Sequence, residues 1–264
     1  AHDVRTAYHL DAILLGRFLR GVACGRGVER VVDHIVEVER DPGGAVAALV
    51  LRTGRRLEAD LYVDCTGFRS LLLGETLEEP FLSDSGHLLC DSAVAIPSRH
   101  VRRDAGLPPF TTSTALRSGW SWDIPLHHRR GCGYVYSQAF ASPDEAEAEL
   151  RAFLGEAAEG AEARHLRFRV GRHRRTWVKN VVALGLSAAF LEPLESTSIF
   201  LVEYGLANLV TFFPHRPVDE SRTNAYNRVM NDVYDELRDF ILMHYALANR
   251  GDTPFWKSAA SPAT

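Results

Sequence analysis

Lysine is almost absent from this chain of 264 residues: it has only Lys179 and Lys257, and arginine supplies the other basic side chains. A reaction that needs a lysine side chain therefore has to use one of these two or a lysine outside this chain. The chain also begins at Ala1, without an initiator methionine or an export signal. We therefore expect a fragment of a longer protein.

Paired cysteines, a strong net charge and long apolar runs are also missing. The cysteines lie far apart, with no CxxC or Cys/His metal spacing: Cys24, Cys65, Cys90 and Cys132. We therefore expect no metal site, reduced thiols and a cytoplasmic protein. The longest apolar run, residues 181–191, is about half of a bilayer span and is diluted by Gly and Ser, so we expect no membrane segment. The net charge of -4 gives no reason to expect a nucleic-acid partner.

The remaining composition is that of a soluble globular protein, with 46% hydrophobic and 24% charged residues. Its length allows one large domain or two small ones.

Apolar spacing predicts helices at residues 8–24, 143–154, 199–213 and 223–248. Strand-like patterns cover residues 28–38, 45–52, 55–63, 90–96, 118–140, 168–169 and 180–184. The segment DPGG predicts a hairpin turn, and Ser142 with Glu145 predicts a capping box. Because the strands come in runs between helices, we expect a mixed α/β or α+β fold.

The stretch FLEPLESTSIF places two carboxylates and three hydroxyl residues between two apolar runs. Pro193 stops any helix from running through, and the apolar spacing predicts a new helix shortly after it. The first N–H groups of that helix, including those of Thr197 and Ser198, would lack partners and could bind an anion. Alternatively, Ser196 or Thr197 only caps the helix. The preceding run VVALGLSAAF predicts a strand, and strand, turn and helix start in this order typically bind phosphates, flavin rings or small anions.

Two glycine-containing segments give weaker signals. DCTGFRS brings Thr66 and Gly67 to the end of a predicted strand, where glycine allows the backbone to approach a flat ligand. The GxG formed by Gly131 and Gly133 lacks a third glycine and lies inside a strand pattern. It therefore predicts sheet and not a phosphate loop.

The segment GWSWDIP predicts a strand with two tryptophans on one face. Alternation places Trp120, Trp122 and Ile124 on one side and Ser121 and Asp123 on the other. Such tryptophans either pack in a core or form an aromatic wall between two compartments.

Several of these segments together carry a resemblance to a known family. WSWDIP matches the WxWxIP motif of flavin-dependent halogenases, and EPLEST lies where that family has its acid and halide site. DLYVDCTGFRS, FRVGRHRRTWVKN, RDF..MHY and DTPFW are similar to the family in the same order. The chain most resembles the tryptophan halogenase branch. The resemblance implies an FAD-dependent monooxygenase-like fold, here a partial chain lacking the N-terminal dinucleotide-binding loop.

The resemblance also implies a division into three segments. Residues 1–75 would be part of the FAD-binding domain, and residues 76–170 a mainly β region on the substrate side that carries the WxWxIP wall. Residues 171–264 would hold the flavin and halide site and the helices that follow it.

The chemistry that the resemblance implies is halogenation of tryptophan or a related indole. A separate flavin reductase supplies reduced FAD (FADH2), which reacts with O2 to give a flavin hydroperoxide. Chloride or bromide attacks it, and the resulting hypohalous acid reaches a lysine beside the small aromatic substrate. Neither Lys179 nor Lys257 matches the motif of that lysine. The other expectations are no nucleic-acid or membrane partner, with a homodimer left open.

Residue by residue, Glu195 matches the family's active-site glutamate, which would take up the proton lost from the ring. Thr197 and Ser198 match the pair whose backbone N–H groups hold the halide. The typical family residue at position 198 is glycine, and the serine here departs from that pattern. Leu186, Ile199 and Ile35 match flavin-contacting positions. Trp120, Trp122, Ile124 and Pro125 match the wall that separates substrate from flavin.

Two other functions remain open from the sequence. The first is a flavin-dependent aromatic hydroxylase that has lost halogenation. The second is a non-catalytic flavin- or indole-binding protein, which the missing lysine would favour if the chain were complete.

Overall fold

The structure is a computed structural model, and it describes residues 7–101, 106–214 and 219–260. The chain divides into two units. The first comprises Ala1–Val32 and Ser92–Leu166, and the second comprises Asp33–Asp91 and Arg167–Thr264.

Local capping signals define where most of the helices begin. Asp11, Ser142, Asp219 and Thr253 each accept a hydrogen bond from the first turn of the helix that follows them. Ser142 and Glu145 form the predicted capping box. The helices are α1 Ala12–Gly25, α2 Pro143–Leu154, α3 Thr197–Thr211, α4 Glu220–Leu247 and α5 Pro254–Ala259. All four predicted helices are therefore confirmed. The fifth, α5, was not predicted, although Thr253 followed by Pro254 is a typical helix start.

The first unit is built on one five-stranded sheet. Its strands are β6 Ser92–Ser98, β7 Thr112–Leu116, β8 Gly119–Pro125, β9 Arg130–Tyr136 and β10 Arg164–Arg167, and their order in the sheet is β10-β6-β9-β8-β7. The pairs β6–β9, β9–β8 and β8–β7 are antiparallel. Helix α2 packs on the sheet through Ala146 and Leu150, which share a core with Ile96 and Tyr134. The segment with Gly131 and Gly133 lies inside β9, as predicted.

The second unit contains three small sheets. Its strands are β1 Ile35–Arg40, β2 Val46–Leu51, β3 Arg56–Leu57, β4 Tyr62–Asp64, β5 Phe81–Ser83, β11 Gly171–His173, β12 Trp177–Val178, β13 Val181–Ala183 and β14 Ala189–Phe190. The orders are β1-β2-β3, β14-β11-β5 and β12-β13-β4. Strands β13 and β4 are parallel. One core joins β4 and β13 to the segment Leu71–Thr76, and a second joins β12 and β13 to α3 and α4.

Three predicted strands differ from the structure. The strand predicted at 28–38 begins only at Ile35, because residues 28–32 are exposed and make no ladder. The strand predicted at 55–63 is two strands, since β3 pairs with β2 whereas β4 leaves that sheet and joins β13. Residues 168–169 are not a strand and lie between β10 and β11. Strand β7 was missed because its sequence, TSTAL, lacks alternating large apolar side chains.

The prediction of a mixed α/β fold is confirmed by these elements. Within the described ranges, no helix has both the length and the apolar character needed to cross a membrane.

Candidate active site

The carboxyl ends of two parallel strands meet at one edge of a sheet in the second unit. Ala183 of β13 lies beside Asp64 of β4. The chain continues from β4 into the DCTG segment, and from β13 into the turn Gly185–Ser187. Gly67 and Gly185 have φ values of 72° and 63°, which favour glycine. Ligands of α/β proteins bind beyond such strand ends, where backbone without side chains can approach a flat ring.

Asp64 holds the first of these two turns in place. Its fully buried side chain accepts hydrogen bonds from the N–H groups of Thr66, Leu72 and Leu73 at 2.9–3.0 Å. The Thr66 hydroxyl donates to the same carboxylate at 2.6 Å. These four donors satisfy a charge that would otherwise be costly to bury.

Two serines join the first turn to the second. The Ser70 hydroxyl donates to the Ser187 carbonyl at 2.8 Å, and the Ser187 hydroxyl is hydrogen-bonded to the Asp64 carbonyl. Both side chains are buried. The two turns therefore form one connected edge, on which Leu186 is 40% exposed.

Helix α3 packs closely against the end of β13 because Gly205 has no side chain. A Cβ at Gly205 would lie 2.7 Å from Leu184 Cδ2. A Cβ at Gly185 would lie 3.4 Å from Val202 of the same helix. The glycine-containing turn and α3 are therefore neighbours.

The N-terminus of α3 is not capped by a side chain. The residue at its cap position, Ser196, is left-handed (φ 55°, ψ 34°) and makes no side-chain cap hydrogen bond. Thr197 is only 5% exposed, and its buried Oγ1 has no hydrogen-bond partner among the described residues. The alternative that the side chain of Ser196 or Thr197 only caps this helix is therefore wrong. The first N–H groups of this 15-residue helix form the positive end of its dipole, and the Thr197 hydroxyl lies in the same turn. This arrangement suits an anion.

Glu195 immediately precedes this helix start and is held by α4. Its side chain is 45% exposed, and its Oε1 lies 3.1 Å from His244 Nε2. His244 Nδ1 lies 2.8 Å from the Phe240 carbonyl and must donate to it, because a carbonyl oxygen only accepts. The other ring nitrogen, Nε2, therefore faces the Glu195 carboxylate. A hydrogen bond between Nε2 and Oε1 requires one proton, carried by one of these two atoms.

The two tryptophans of GWSWDIP lie on β8 in the first unit. Trp120 is buried and Trp122 half-buried, with ring centroids 6.3 Å apart. Trp122 pairs with Gly133 of β9, where a Cβ would lie 2.1 Å from the indole ring. Glycine at position 133 is therefore required for this tryptophan to lie flat against β9.

Comparison with known proteins identifies the family. The tryptophan halogenase family model matches residues 1–263. The chain belongs to the tryptophan halogenase family. It is 45% identical over 253 residues to tryptophan 7-halogenase RebH of Lentzea aerocolonigenes, covering 96% of this chain and 48% of that protein. Its identity to tryptophan 6-halogenase ThaL of Streptomyces albogriseolus is 43% over 253 residues, covering 96% and 48%.

A solved structure of this family has the same fold. The tryptophan 6-halogenase SttH of Streptomyces toxytricini superimposes with a TM-score of 0.95 at 42% identity, covering 97% of this chain and 50% of that one. The chain thus spans about half the length of the curated relatives it matches. The predicted fold of flavin-dependent halogenases is confirmed by this similarity.

The structure brings some of the predicted halogenase site residues together. The start of α3 contains Thr197, Ser198 and Ile199, and Glu195 precedes the cap residue Ser196. Leu186 lies in the turn that packs against this helix. Ile35 lies at the start of β1, in a different sheet. The wall residues lie in the first unit: Trp120, Trp122, Ile124 and Pro125. Their functional roles, like the three-segment division, stay predictions.

Two residues beside this site were not singled out from the sequence. His244 lies in the RDF..MHY segment, and its spacing gave no hint of a contact with Glu195. Glu192 is fully buried and accepts a hydrogen bond from Tyr245 at 2.8 Å. The only sequence signal for Glu192 is a carboxylate between Leu191 and Pro193.

The two lysines of the chain lie outside helix α3. Lys179 donates to the Gly43 carbonyl, and Lys257 is exposed on α5. Among residues 7–101, 106–214 and 219–260, no three His, Cys, Asp or Glu side chains are grouped to hold a metal ion.

Proposed function

We propose that this chain carries the halide site and part of the flavin site of an FADH2-dependent halogenase that chlorinates or brominates tryptophan or a related indole. The observation that carries the proposal is the uncapped start of α3 directly after Glu195. Membership of the tryptophan halogenase family supports it.

The halide would bind at the first turn of α3. The backbone N–H groups of Thr197 and Ser198 are the donors, and the buried Thr197 hydroxyl adds a third. Chloride and bromide are spherical anions that need several convergent donors and no directional acceptor. A helix N-terminus supplies such donors.

Glu195 would act as the proton acceptor. When an aromatic carbon forms a bond to the halogen of hypohalous acid, the oxygen of that acid leaves as hydroxide and becomes water. The same ring carbon must then lose its proton, and an exposed carboxylate beside the halide site is suited to receive it. His244 orients that carboxylate from α4.

The edge formed by the two glycine-containing turns fits one face of a flat flavin. Gly67 and Gly185 hold positive φ values, no atom lies within 4 Å of a Cβ built on Gly67, and Leu186 and Ile199 are exposed. We assign Leu186, Ile199 and Ile35 as the flavin-contacting residues of this chain. When bound, reduced FAD with O2 supplies the oxidising power that converts halide to hypohalous acid.

The remaining parts of the proposal concern the wall and the partners. Trp120, Trp122, Ile124 and Pro125 would separate the indole substrate from the flavin. A separate flavin reductase would supply FADH2 in the cytoplasm, and the protein would not need nucleic acid, a membrane or a metal. A homodimer is compatible with this proposal.

The test is product formation by the full-length protein with FAD, a flavin reductase, O2 and tryptophan or indole. We expect a product with the isotope doublet of bromine when bromide is added, and none when halide is omitted. A hydroxylated product that forms without halide would favour the aromatic hydroxylase. Flavin binding without any product would favour the binding protein.

A further inference from the structure

Glu192 is a buried carboxylate that the proposed reaction does not use. Its side chain is 0% exposed, and its Oε2 accepts a hydrogen bond of 2.8 Å from the hydroxyl of Tyr245 on α4. Tyr245 is itself 4% exposed. A carboxylate in such surroundings is costly to bury unless it is hydrogen-bonded, so this contact contributes to holding it in place.

A third buried group lies against this pair. Cys90 Sγ lies 3.5 Å from the Tyr245 hydroxyl oxygen. Burial, together with the charge of Glu192, holds the pKa of Cys90 and that of Tyr245 well above their ordinary values, so both stay protonated. The Tyr245 hydroxyl therefore keeps the proton that it donates to Glu192.

The hydrogen bond between Glu192 and Tyr245 acts on a short and stiff segment of the chain. Pro193 follows Glu192 and fixes its own φ, and the Ser196 N–H bonds back to the Pro193 carbonyl at 3.1 Å. Ser196 then takes a left-handed conformation and α3 begins at Thr197. With a proline and a closed turn between them, a shift of Glu192 is passed on to Glu195 and to the first N–H groups of α3.

Tyr245, the donor of this hydrogen bond, is itself held by aromatic contacts. The Tyr245 ring centroid lies 6.1 Å from that of Phe255 and 5.7 Å from that of Trp256, both on α5. The preceding residue of α4 is His244, which contacts Glu195. Consecutive residues of one helix turn therefore hold both glutamates of the EPLE segment.

We propose that Glu192 and Tyr245 are positioning residues, whose buried hydrogen bond places Glu195 and the first N–H groups of α3 around the halide. This inference rests on the proposed function. It predicts that loss of the hydrogen bond weakens the halide site without disturbing the flavin edge, which Asp64 and Ser187 hold separately.

The test compares variants of the full-length protein by their halide dependence. Tyr245→Phe removes only the hydroxyl, and Glu192→Leu removes the acceptor. Glu192→Gln keeps an acceptor oxygen and is the conservative variant. Tyr226→Phe is the matched control: Tyr226 is also a buried tyrosine of α4, and it donates to the Gly205 carbonyl of α3 at 3.4 Å, beyond the first turn.

We expect Tyr245→Phe and Glu192→Leu to raise the bromide concentration for half-maximal rate by roughly tenfold, the scale of one hydrogen bond to a charged group. The FAD affinity should change by less than about threefold, and Glu192→Gln and Tyr226→Phe should stay near the parent. Equal halide dependence in Tyr245→Phe and Tyr226→Phe would overturn the inference.

A second readout does not require catalysis. The line width of ³⁵Cl⁻ in NMR titrations reports chloride binding, and we expect Tyr245→Phe to weaken it by the same factor. A parent that binds chloride but forms no halogenated product would refute the proposed function alone. Unchanged binding in Tyr245→Phe, or no chloride binding by the parent, would overturn the inference.

Discussion

Glu195→Gln is the substitution that best separates chemistry from stability at this site. The contact of Glu195 with His244 joins side chains that are 45% and 32% exposed. Such a pair contributes at most about 1 kcal/mol to the free energy of unfolding. For a protein of this size, 1 kcal/mol shifts the melting temperature by about 2–4 °C. The variant should therefore melt within about 4 °C of the parent.

The effect of the same change on halogenation should be far larger. A positioned acid or base contributes roughly 10²- to 10⁴-fold to a rate, and glutamine cannot accept the ring proton. We expect the yield of halogenated product to fall by roughly 10²-fold or more, while oxidation of FADH2 by O2 continues. Product is measured by liquid chromatography with mass spectrometry, and flavin oxidation by absorbance.

The control for this prediction is Glu203→Gln. Glu203 is an exposed glutamate in α3. It should keep both product formation and melting temperature. Undiminished product in Glu195→Gln would remove Glu195 from the mechanism. A large drop in melting temperature would contradict the small stabilisation expected from the contact between Glu195 and His244.

Three further predictions concern other parts of the chain. Ser198→Gly keeps the backbone N–H and should preserve the halide dependence within several-fold. Ser198→Pro removes a donor and should weaken the apparent halide affinity by roughly 10- to 100-fold. Bromide titration with a parallel melting curve checks both variants. Gly133→Ala forces a Cβ into the Trp122 ring and should destabilise the protein by about 1–3 kcal/mol, measured by denaturant unfolding; an unchanged midpoint would contradict the packing. Burial lowers the pKa of His173 below its ordinary value of 6.5, so the unfolded chain binds the proton more readily. Stability should therefore fall as pH drops below about 6.5, and His173→Gln should reduce that fall in a melting series across pH.

Elements with local signals could be predicted from the sequence. The start of α2 follows from Ser142 and Glu145, which contact each other three residues apart. Helices α3 and α4 follow from their apolar spacing. The GxG at Gly131 lies in a strand because its neighbours alternate like a strand.

Features that depend on distant partners could not be predicted. Residues 55–63 look like one strand, and only the pairing of β4 with β13 shows that they split between two sheets. The burial of Glu192 depends on Tyr245, 53 positions later. In the site itself, the hydroxyl row and the helix start were predicted, but the left-handed Ser196, which leaves α3 uncapped, was not.

The most direct test of the central claim is the position of bromide in a crystal of the full-length protein. The bromide ion is located by its anomalous scattering. We predict a peak at the start of α3, within hydrogen-bond distance of the backbone nitrogens of Thr197 and Ser198. A bromide-loaded crystal in which the only ordered bromide lies elsewhere would contradict the account.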